Sequence, residues 1–263
     1  MATIGLLHPG EMGAAVGGCL VSVGHEVLWD PAGRSRASTG RALAAEMTGV
    51  PFDALVKRSS VILSICPPHA ALDVAAQVAA AGYAGIYADA NAISVATAEQ
   101  VSGIVTAAGA SYVDGGIIGQ PPEAPGYTRL YLSGPQASEV RVLFKRSRVD
   151  ARIAEGPLYA ASTVKMAYAA WTKGSSALLL AARALARAGG VEQTLLAEWQ
   201  LSQPNLAAQS ERSATAAASK GWRWIGEMEE IAASMSAAGL PDEIESTRLN
   251  SSHERRSRMP SSA

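Results

Sequence analysis

The sequence predicts an α/β fold, with an N-terminal doubly wound, mostly parallel sheet followed by an all-α C-terminal region. Three observations carry this reading. An apolar run at Thr3 to Leu7 breaks at His8-Pro9-Gly10 and gives way to a small-residue helix, Ala14 to Val23. That is the strand, turn and helix of a nucleotide-binding βαβ unit. Short apolar runs and helical segments then alternate to about residue 155, as a mostly parallel sheet requires. Residues 157–240 show no convincing strand pattern. The expected organisation is a nucleotide-binding domain over 1–155, an all-helical domain over 156–246, and a Ser/Arg-rich tail over 247–263 that is disordered or not native.

Composition narrows the function classes. The 263 residues are 48% hydrophobic, enough for a sizeable core. Lys and Arg number 22 against 23 Asp and Glu, a net charge of -1. No field therefore draws the chain to nucleic acid or an anionic membrane, and a small-molecule partner is expected. Two cysteines, Cys19 and Cys66, cannot form a disulfide framework. The start Met1-Ala2-Thr3-Ile4 carries no basic leader, and no apolar run reaches the roughly 18 residues of a membrane span, so a cytoplasmic location is expected. His8, His25, His69 and His253 lack metal-ligand spacing, and G-x-S-x-G is absent, so neither a metal centre nor a serine triad is indicated.

In the first turn, Pro9 biases His8 toward extended geometry. Gly10 lets backbone approach a pyrophosphate, Gly13 lets the helix pack on the sheet, and the first helical N-H groups face the phosphates. His8, Pro9, Gly10, Glu11, Met12 and Gly13 are thus candidate cofactor contacts. The full G-x-G-x-x-G pattern is broken because His8 stands at its first glycine. Gly24 to Asp30 reads as a turn and second strand ending on an acid about 20 residues beyond Gly10, where a carboxylate can meet a ribose. Asp30 also suits a turn ahead of Pro31. Arg34 and Arg36 are what a 2'-phosphate would need, so NADP and NAD both stay open.

Asp53 to Arg58 is a short helix and Val61 to Ile65 a buried parallel strand, stopped by Cys66-Pro67-Pro68. Two prolines at a strand's C-terminal end set a rigid loop where ligands bind in open α/β sheets; they equally suit a stiff connector to the helix His69 to Ala81. Cys66, Pro67 and Pro68 are therefore candidate cofactor residues. Ile86 to Asp89 begins the next strand, and Ser94 is an N-cap for a helix from Val95 to Ala108. Asn91 has no such local role and is a candidate for cofactor or substrate. Ser111 to Pro122 is a strand running into a Gly- and Pro-rich loop; Arg129 to Ser133, Pro135 to Arg146 and Asp150 to Ala154 complete the alternation. Beyond it come a long Ala/Leu-rich helix, Leu158 to Ala188, a segment Val191 to Leu201, another opening at Pro204, and Trp222 to Ala238.

Gly5, Gly10, Met12 and Gly13, taken with this two-part plan, resemble the opening signature of the β-hydroxyacid dehydrogenase superfamily, which includes 3-hydroxyisobutyrate and 6-phosphogluconate dehydrogenases. The His-Pro-Gly-x-Met-Gly turn and Lys-Gly-Trp-Arg-Trp-Ile-Gly-Glu-Met-Glu-Glu at 220–230 look like a branch with a C-terminal domain of unknown function. The resemblance implies an N-terminal Rossmann domain, an all-α C-terminal domain that pairs into a homodimer, a nicotinamide cofactor, and a catalytic lysine early in the long helix. Ala161-Ser162-Thr163-Val164-Lys165-Met166-Ala167-Tyr168-Ala169 occupies that place. Lys165 read alone suits a side chain snorkelling to the surface. With the resemblance it is the acid/base group, a desolvated amine that takes a hydroxyl proton as hydride leaves carbon.

The departures bear on substrate. Where the family has paired asparagines past the lysine, this chain has Tyr168 and Ala169. Tyr168, one turn from Lys165, suits either a proton partner or packing. The family's Asp-x-Pro-Val-Ser-Gly-Gly loop is Asp114-Gly115-Gly116-Ile117-Ile118-Gly119-Gln120, and its Asp-x-Ser-Thr is Asp89-Ala90-Asn91-Ala92. Asn91, Ile117, Gly119 and Gln120 are the substrate candidates, for a compound less anionic or differently shaped than a simple hydroxy acid. The expected activity is hydride transfer between NAD(P) and a small hydroxyl or carbonyl compound. An imine reductase and a nicotinamide-binding protein without turnover are the alternatives.

Overall fold

In the computed structural model, residues 1–241 are described; the expected tail over 247–263 lies outside them. The described residues divide into two compact units, the first Met1–Tyr168 and the second beginning at Ala169.

In the first unit, β1 (Thr3–Leu7) leads to α1 (Glu11–Ser22), which begins ahead of the expected Ala14 because extended Gly10 is its N-cap. Then come β2 (Glu26–Trp29), α2 (Arg36–Ala44), β3 (Thr48–Gly49), α3 (Phe52–Arg58) and β4 (Val61–Ser64). The sequence pattern missed α2 and β3. Only Ala42 of α2 is buried, and both residues of β3 are exposed, so neither prints an apolar period. A 3-10 turn, Pro68–Ala70, precedes α4 (Ala71–Ala80), followed by β5 (Ile86–Asp89), α5 (Val95–Ala107), β6 (Ser111–Gly119), β7 (Thr128–Ser133), α6 (Ala137–Leu143) and β8 (Val149–Ile153). Ser94 caps α5 as expected, its side chain accepting from the Thr97 N–H.

The strands form one sheet in the order β3-β2-β1-β4-β5-β6-β7-β8, parallel throughout except where β7 meets β6. The chain goes outward from β1 to β3, then returns to place β4 on the other side of β1. That reversal is the point where an open α/β sheet splays its loops apart at the strands' C-terminal ends.

The central strands β1, β2, β4, β5 and β6 bury both faces. Ile4, Leu6, Val27, Trp29, Val61, Leu63, Val113 and Leu132 pack with residues of α1, α2 and α6. Ile62, Tyr87 and Tyr112 pack with α3, α4 and α5. Two-sided burial is why these strands read as apolar runs rather than alternating ones. His25 ties the unit's edge together, with Nδ1 accepting from the Ala2 N–H at 3.2 Å and Nε2 lying 3.0 Å from the Leu143 carbonyl.

The long helix α7 (Ala160–Ala188) starts in the first unit. Within the second, α8 (Glu192–Ser202) and α9 (Leu206–Ala237) follow. The two segments expected around Pro204 and Trp222 are one continuous helix, since nothing between them breaks the backbone. Arg183 on α7 binds Glu192 at 2.6 Å, Ser210 at 3.2 Å, and Glu211, joining the three helices; Lys173 adds a 3.2 Å pair with Glu227 and lies 5.0 Å from the Trp224 ring centre. Among the described residues no helix is long and apolar enough to cross a membrane.

A Cβ placed on Gly13 would lie 2.4 Å from the His8 carbonyl oxygen, a backbone atom that cannot swing aside. Gly13→Ala is therefore expected to destabilise the protein by about 3 kcal/mol, the upper end of overpacking costs, as read by chemical denaturation.

Candidate functional site

Three central strands, β1, β4 and β5, end at one level, and β6 passes through that level at Asp114 before running on to Gly119. Leu7, Ser64, Asp89 and Asp114 are register partners across β1, β4, β5 and β6, and Ser133 of β7 pairs with Asp114. Register partners share a sheet face, so one row of Ser64, Asp89, Asp114 and Ser133 lies on the side of Tyr87 and Tyr112. All four are at most 2% exposed. The loops rising from this row gather most of the sequence-nominated residues.

The β1–α1 turn comes first. His8 has φ 69°, a left-handed conformation that disfavours a side chain and not the extended one expected ahead of Pro9. It stands where the resembled signature has glycine, so the turn keeps glycine's backbone shape without glycine. Its Nδ1 is buried without a hydrogen-bond partner. Burial, with the Arg34 charge adding to it, pushes the imidazole down to about 4, so it is neutral at physiological pH. Gly10 faces open space, and the first-turn N–H groups of α1 have no acceptor within the helix. Arg41 sends Nε toward the Pro9 carbonyl at 3.5 Å, so Arg34 and Arg41 both reach this turn. Asp30 sits just past β2, where its Oδ1 accepts from the Ala32 N–H at 3.0 Å and forms the turn that the alternative reading anticipated. The shape and the positive surroundings fit a dinucleotide diphosphate.

Next to it, Asn91 staples two loops. Its Oδ1 accepts from the Cys66 N–H at 2.6 Å and its Nδ2 donates to Ser64 Oγ at 3.2 Å, so the amide holds the Cys66-Pro67-Pro68 loop in place. Sequence reading had offered no structural role for Asn91. Cys66 is buried, and burial, followed by the Asp89 charge, pushes its thiol up to about 12, which leaves it unreactive.

Asp89 is fully enclosed. Its Oδ1 accepts from the Asn91 N–H at 2.8 Å, while Oδ2 has no hydrogen-bond partner, and neither have the nearby Tyr87 and Tyr112 hydroxyls. Burial, reinforced by Asp114 and opposed by the Asn91 N–H, pushes Asp89 up to about 7. Asp114 differs, since its carboxylate is fully used. Oδ2 accepts from the Ser162 N–H at 2.8 Å and Ser133 Oγ at 2.9 Å, and Oδ1 accepts from Ser162 Oγ. Ser133 Oγ also accepts from the Ala161 N–H at 3.0 Å. Two side chains from the sheet thus cap α7. These caps were invisible in sequence, because they lie 48 and 28 residues from their partners.

Lys165 stands one turn beyond Ser162 and is half-buried. A Cβ on Gly116 would lie 2.8 Å from both Lys165 Cβ and the Ala161 carbonyl, so the helix rests directly on β6 at that glycine. Gly116 and Ile118 share this face; Ile117 points to the opposite layer, where it joins the α1/α6 core. Gly119 (φ 115°) turns the chain outward, and the exposed Gln120 is held by Thr128 Oγ1 donating to its carbonyl. Tyr168 is 45% exposed. Among the described residues no cluster of metal-ligating side chains occurs.

Comparison with known proteins follows the same lines. Residues 186–248 match a family model described as a domain of unknown function, DUF1932. The conserved protein MTH1747, described as of unknown function with structural similarity to 3-hydroxyacid dehydrogenases, superposes with a TM-score of 0.70 at 26% identity, over 89% of this chain and 90% of that one. The chain has a β-hydroxyacid dehydrogenase-like fold. A 3-hydroxyisobutyrate dehydrogenase from Salmonella typhimurium gives 0.70 at 15% identity, over 92% and 89%. A reductive aminase from Aspergillus terreus in complex with NADPH and ethyl levulinate gives 0.61 at 19%, over 93% and 90%. No curated protein matches the sequence.

The Asp89 environment generates a pH prediction. The folded protein keeps this carboxyl protonated up to about 7, whereas the unfolded chain ionises it near 4. Between these values the folded state holds the extra proton, so stability falls as pH rises, by up to about 1.4 kcal/mol per pH unit, and levels off above 7. Asp89→Asn should flatten that fall and melt higher than the parent protein at pH 8, as thermal unfolding across pH 4 to 8 will show.

Proposed function

We propose that this protein is a nicotinamide-dependent oxidoreductase acting on a small hydroxyl or carbonyl compound, with Lys165 as acid/base. The observation that carries the reading is the placement of Lys165 over Gly116 on β6, on the same sheet whose β1–α1 turn fits a dinucleotide diphosphate. The bound nicotinamide would supply or accept the hydride. Lys165 moves the proton at the substrate oxygen, giving it up in reduction and taking it in oxidation. His8, Pro9, Gly10, Glu11, Met12 and Gly13 hold the diphosphate, and Asn91 keeps the Cys66-Pro67-Pro68 loop beside it. NADP(H) is the preferred cofactor: Arg34 and Arg41 supply guanidinium groups beside this turn for a 2'-phosphate, while an Asp30 oxygen is engaged in its own turn. The substrate meets Gly119 and Gln120 at the end of β6. Ile117 backs that strand from the other layer.

The helical region over 156–246 serves substrate and dimer formation. Trp171, Leu178 and Leu185 recur every seventh residue along α7 at 72%, 72% and 77% exposure, an apolar stripe of the kind that pairs with a second copy of the chain.

A second reading, imine reduction, is favoured by one observation. Tyr168, 45% exposed, puts a phenol one turn past Lys165 in a fold shared with a reductive aminase. Reduction of cyclic imines with no turnover of ketones or alcohols would select it.

Lys165→Ala should lower kcat by at least about 100-fold on any substrate found by screening, with NADPH affinity changed by less than about threefold. Equal loss of both would remove the catalytic role. His8→Gly is expected to move two quantities in opposite directions. Relief of the left-handed φ raises stability by about 1 kcal/mol, while NADPH binding weakens, as calorimetry and titration would show.

A further inference from the structure

The helix that carries Lys165 has no cap of its own. Leu158 and Tyr159, which precede it, offer no short side-chain acceptor of the kind that normally starts a helix. The Ala160 N–H is met by the Pro157 carbonyl, and the next two are met from the sheet: Ala161 by Ser133 Oγ at 3.0 Å, and Ser162 by Asp114 Oδ2 at 2.8 Å. Asp114 holds Ser162 twice, through the backbone N–H and through the hydroxyl, which fixes the rotation of the helix about its axis as well as its end. Ser133 Oγ also lies 2.7 Å from the Leu158 carbonyl, so its one proton is shared between that carbonyl and Asp114 Oδ2.

A second contact sits one step along. Gly116 is two residues past Asp114 on the same face of β6, and Lys165 is three residues past Ser162 on the same face of α7. The missing Cβ of Gly116 is what lets Lys165 Cβ come down onto the strand. With the 114–162 pair setting rotation and the 116–165 contact setting height, the first two turns of α7 have one seat. A buried carboxylate at a helix N-terminus also suits the partial positive charge there.

We propose that Asp114 and Ser133 are positioning residues that set the reach and exposure of Lys165 by clamping the first turn of α7. This rests on the reading of Lys165 as acid/base for its functional meaning, but not for its geometry. The clamp gives a use to a carboxyl group in an interior where it must be satisfied by several donors. It also explains why the segment from Asp114 to Gly116 is so constrained: an acceptor is needed at one position and the absence of a side chain two residues on.

The test uses the full-length protein and an amine-acylating reagent, with the rate at Lys165 read by mass spectrometry against the exposed Lys57 and Lys145 of the same chain. Asp114→Asn and Ser133→Ala should each raise the Lys165 rate about fivefold, the change expected when a helix cap is lost, and leave the two control lysines unchanged. Turnover should show kcat falling about tenfold with the KM for NADPH unchanged, a split that general loss of structure does not produce. Should Asp114→Asn not fold, Ser133→Ala still removes the acceptor of the Ala161 N–H while keeping the carboxylate, and carries the same expectation. A folded variant whose Lys165 labels at the parental rate would overturn the clamp. The acid/base reading fails separately, when Lys165→Ala retains turnover, and the labelling result then stands alone.

Discussion

The level shared by Leu7, Ser64 and Asp89 at the ends of their strands and by Asp114 within β6 is the constraint on which the first unit depends. Below that row the sheet is packed on both faces by aliphatic and aromatic side chains. At the row the face turns polar, and each buried group must find a partner or give up its charge. Asp114 takes the first course, spending both oxygens on Ser162 and Ser133; Asp89 takes the second, with one oxygen unmet and its carboxyl pushed up to about 7. Burial raises both carboxyl groups; at Asp114 the Ser162 and Ser133 donors oppose it, while at Asp89 the single Asn91 N–H does and the Asp114 charge adds to the burial.

That polar row turns a sheet edge into a platform. The strand-order reversal beside β1 opens the β1–α1 turn, while Asn91 holds the Cys66-Pro67-Pro68 loop and Asp114 with Ser133 holds the start of α7. Loops gain position from buried hydrogen bonds rather than from their own propensities, which leaves their outer faces free for chemistry. The strained left-handed conformation of His8 belongs to the same pattern, since backbone strain persists where the surroundings over-determine it.

The departures from the resembled signature now have different physical weights. At His8 the backbone shape survives the change of residue. Along β6 the change is one of facing: Ile117 faces the opposite core, and Gly116 with Ile118 shares the side of Lys165, so the strand's alternation decides which side chain can meet a substrate near that lysine. Tyr168, exposed one turn past Lys165, puts a phenol where the resembled enzymes have an amide.

The sequence by itself determined the α/β character, the order of most elements, the glycine turn after β1, the Ser94 cap and the change to an all-helical pattern, because each is written in local periodicity or in turn chemistry. It did not show α2 and β3, whose residues are mostly exposed and print no period, nor that the segments about Pro204 and Trp222 are one helix. Only the tertiary structure decided what Asn91, Asp89 and Asp114 do. Apart from the local bond from the Asn91 N–H to Asp89, their partners lie between 19 and 48 residues away, on elements brought together by the sheet, and no local pattern encodes a hydrogen bond that exists only once the sheet has formed. For the same reason Lys165 was legible as an unusual charge on an apolar helix, but its seat on Gly116 was not: that contact depends on how closely a helix can approach a strand with no Cβ in the way.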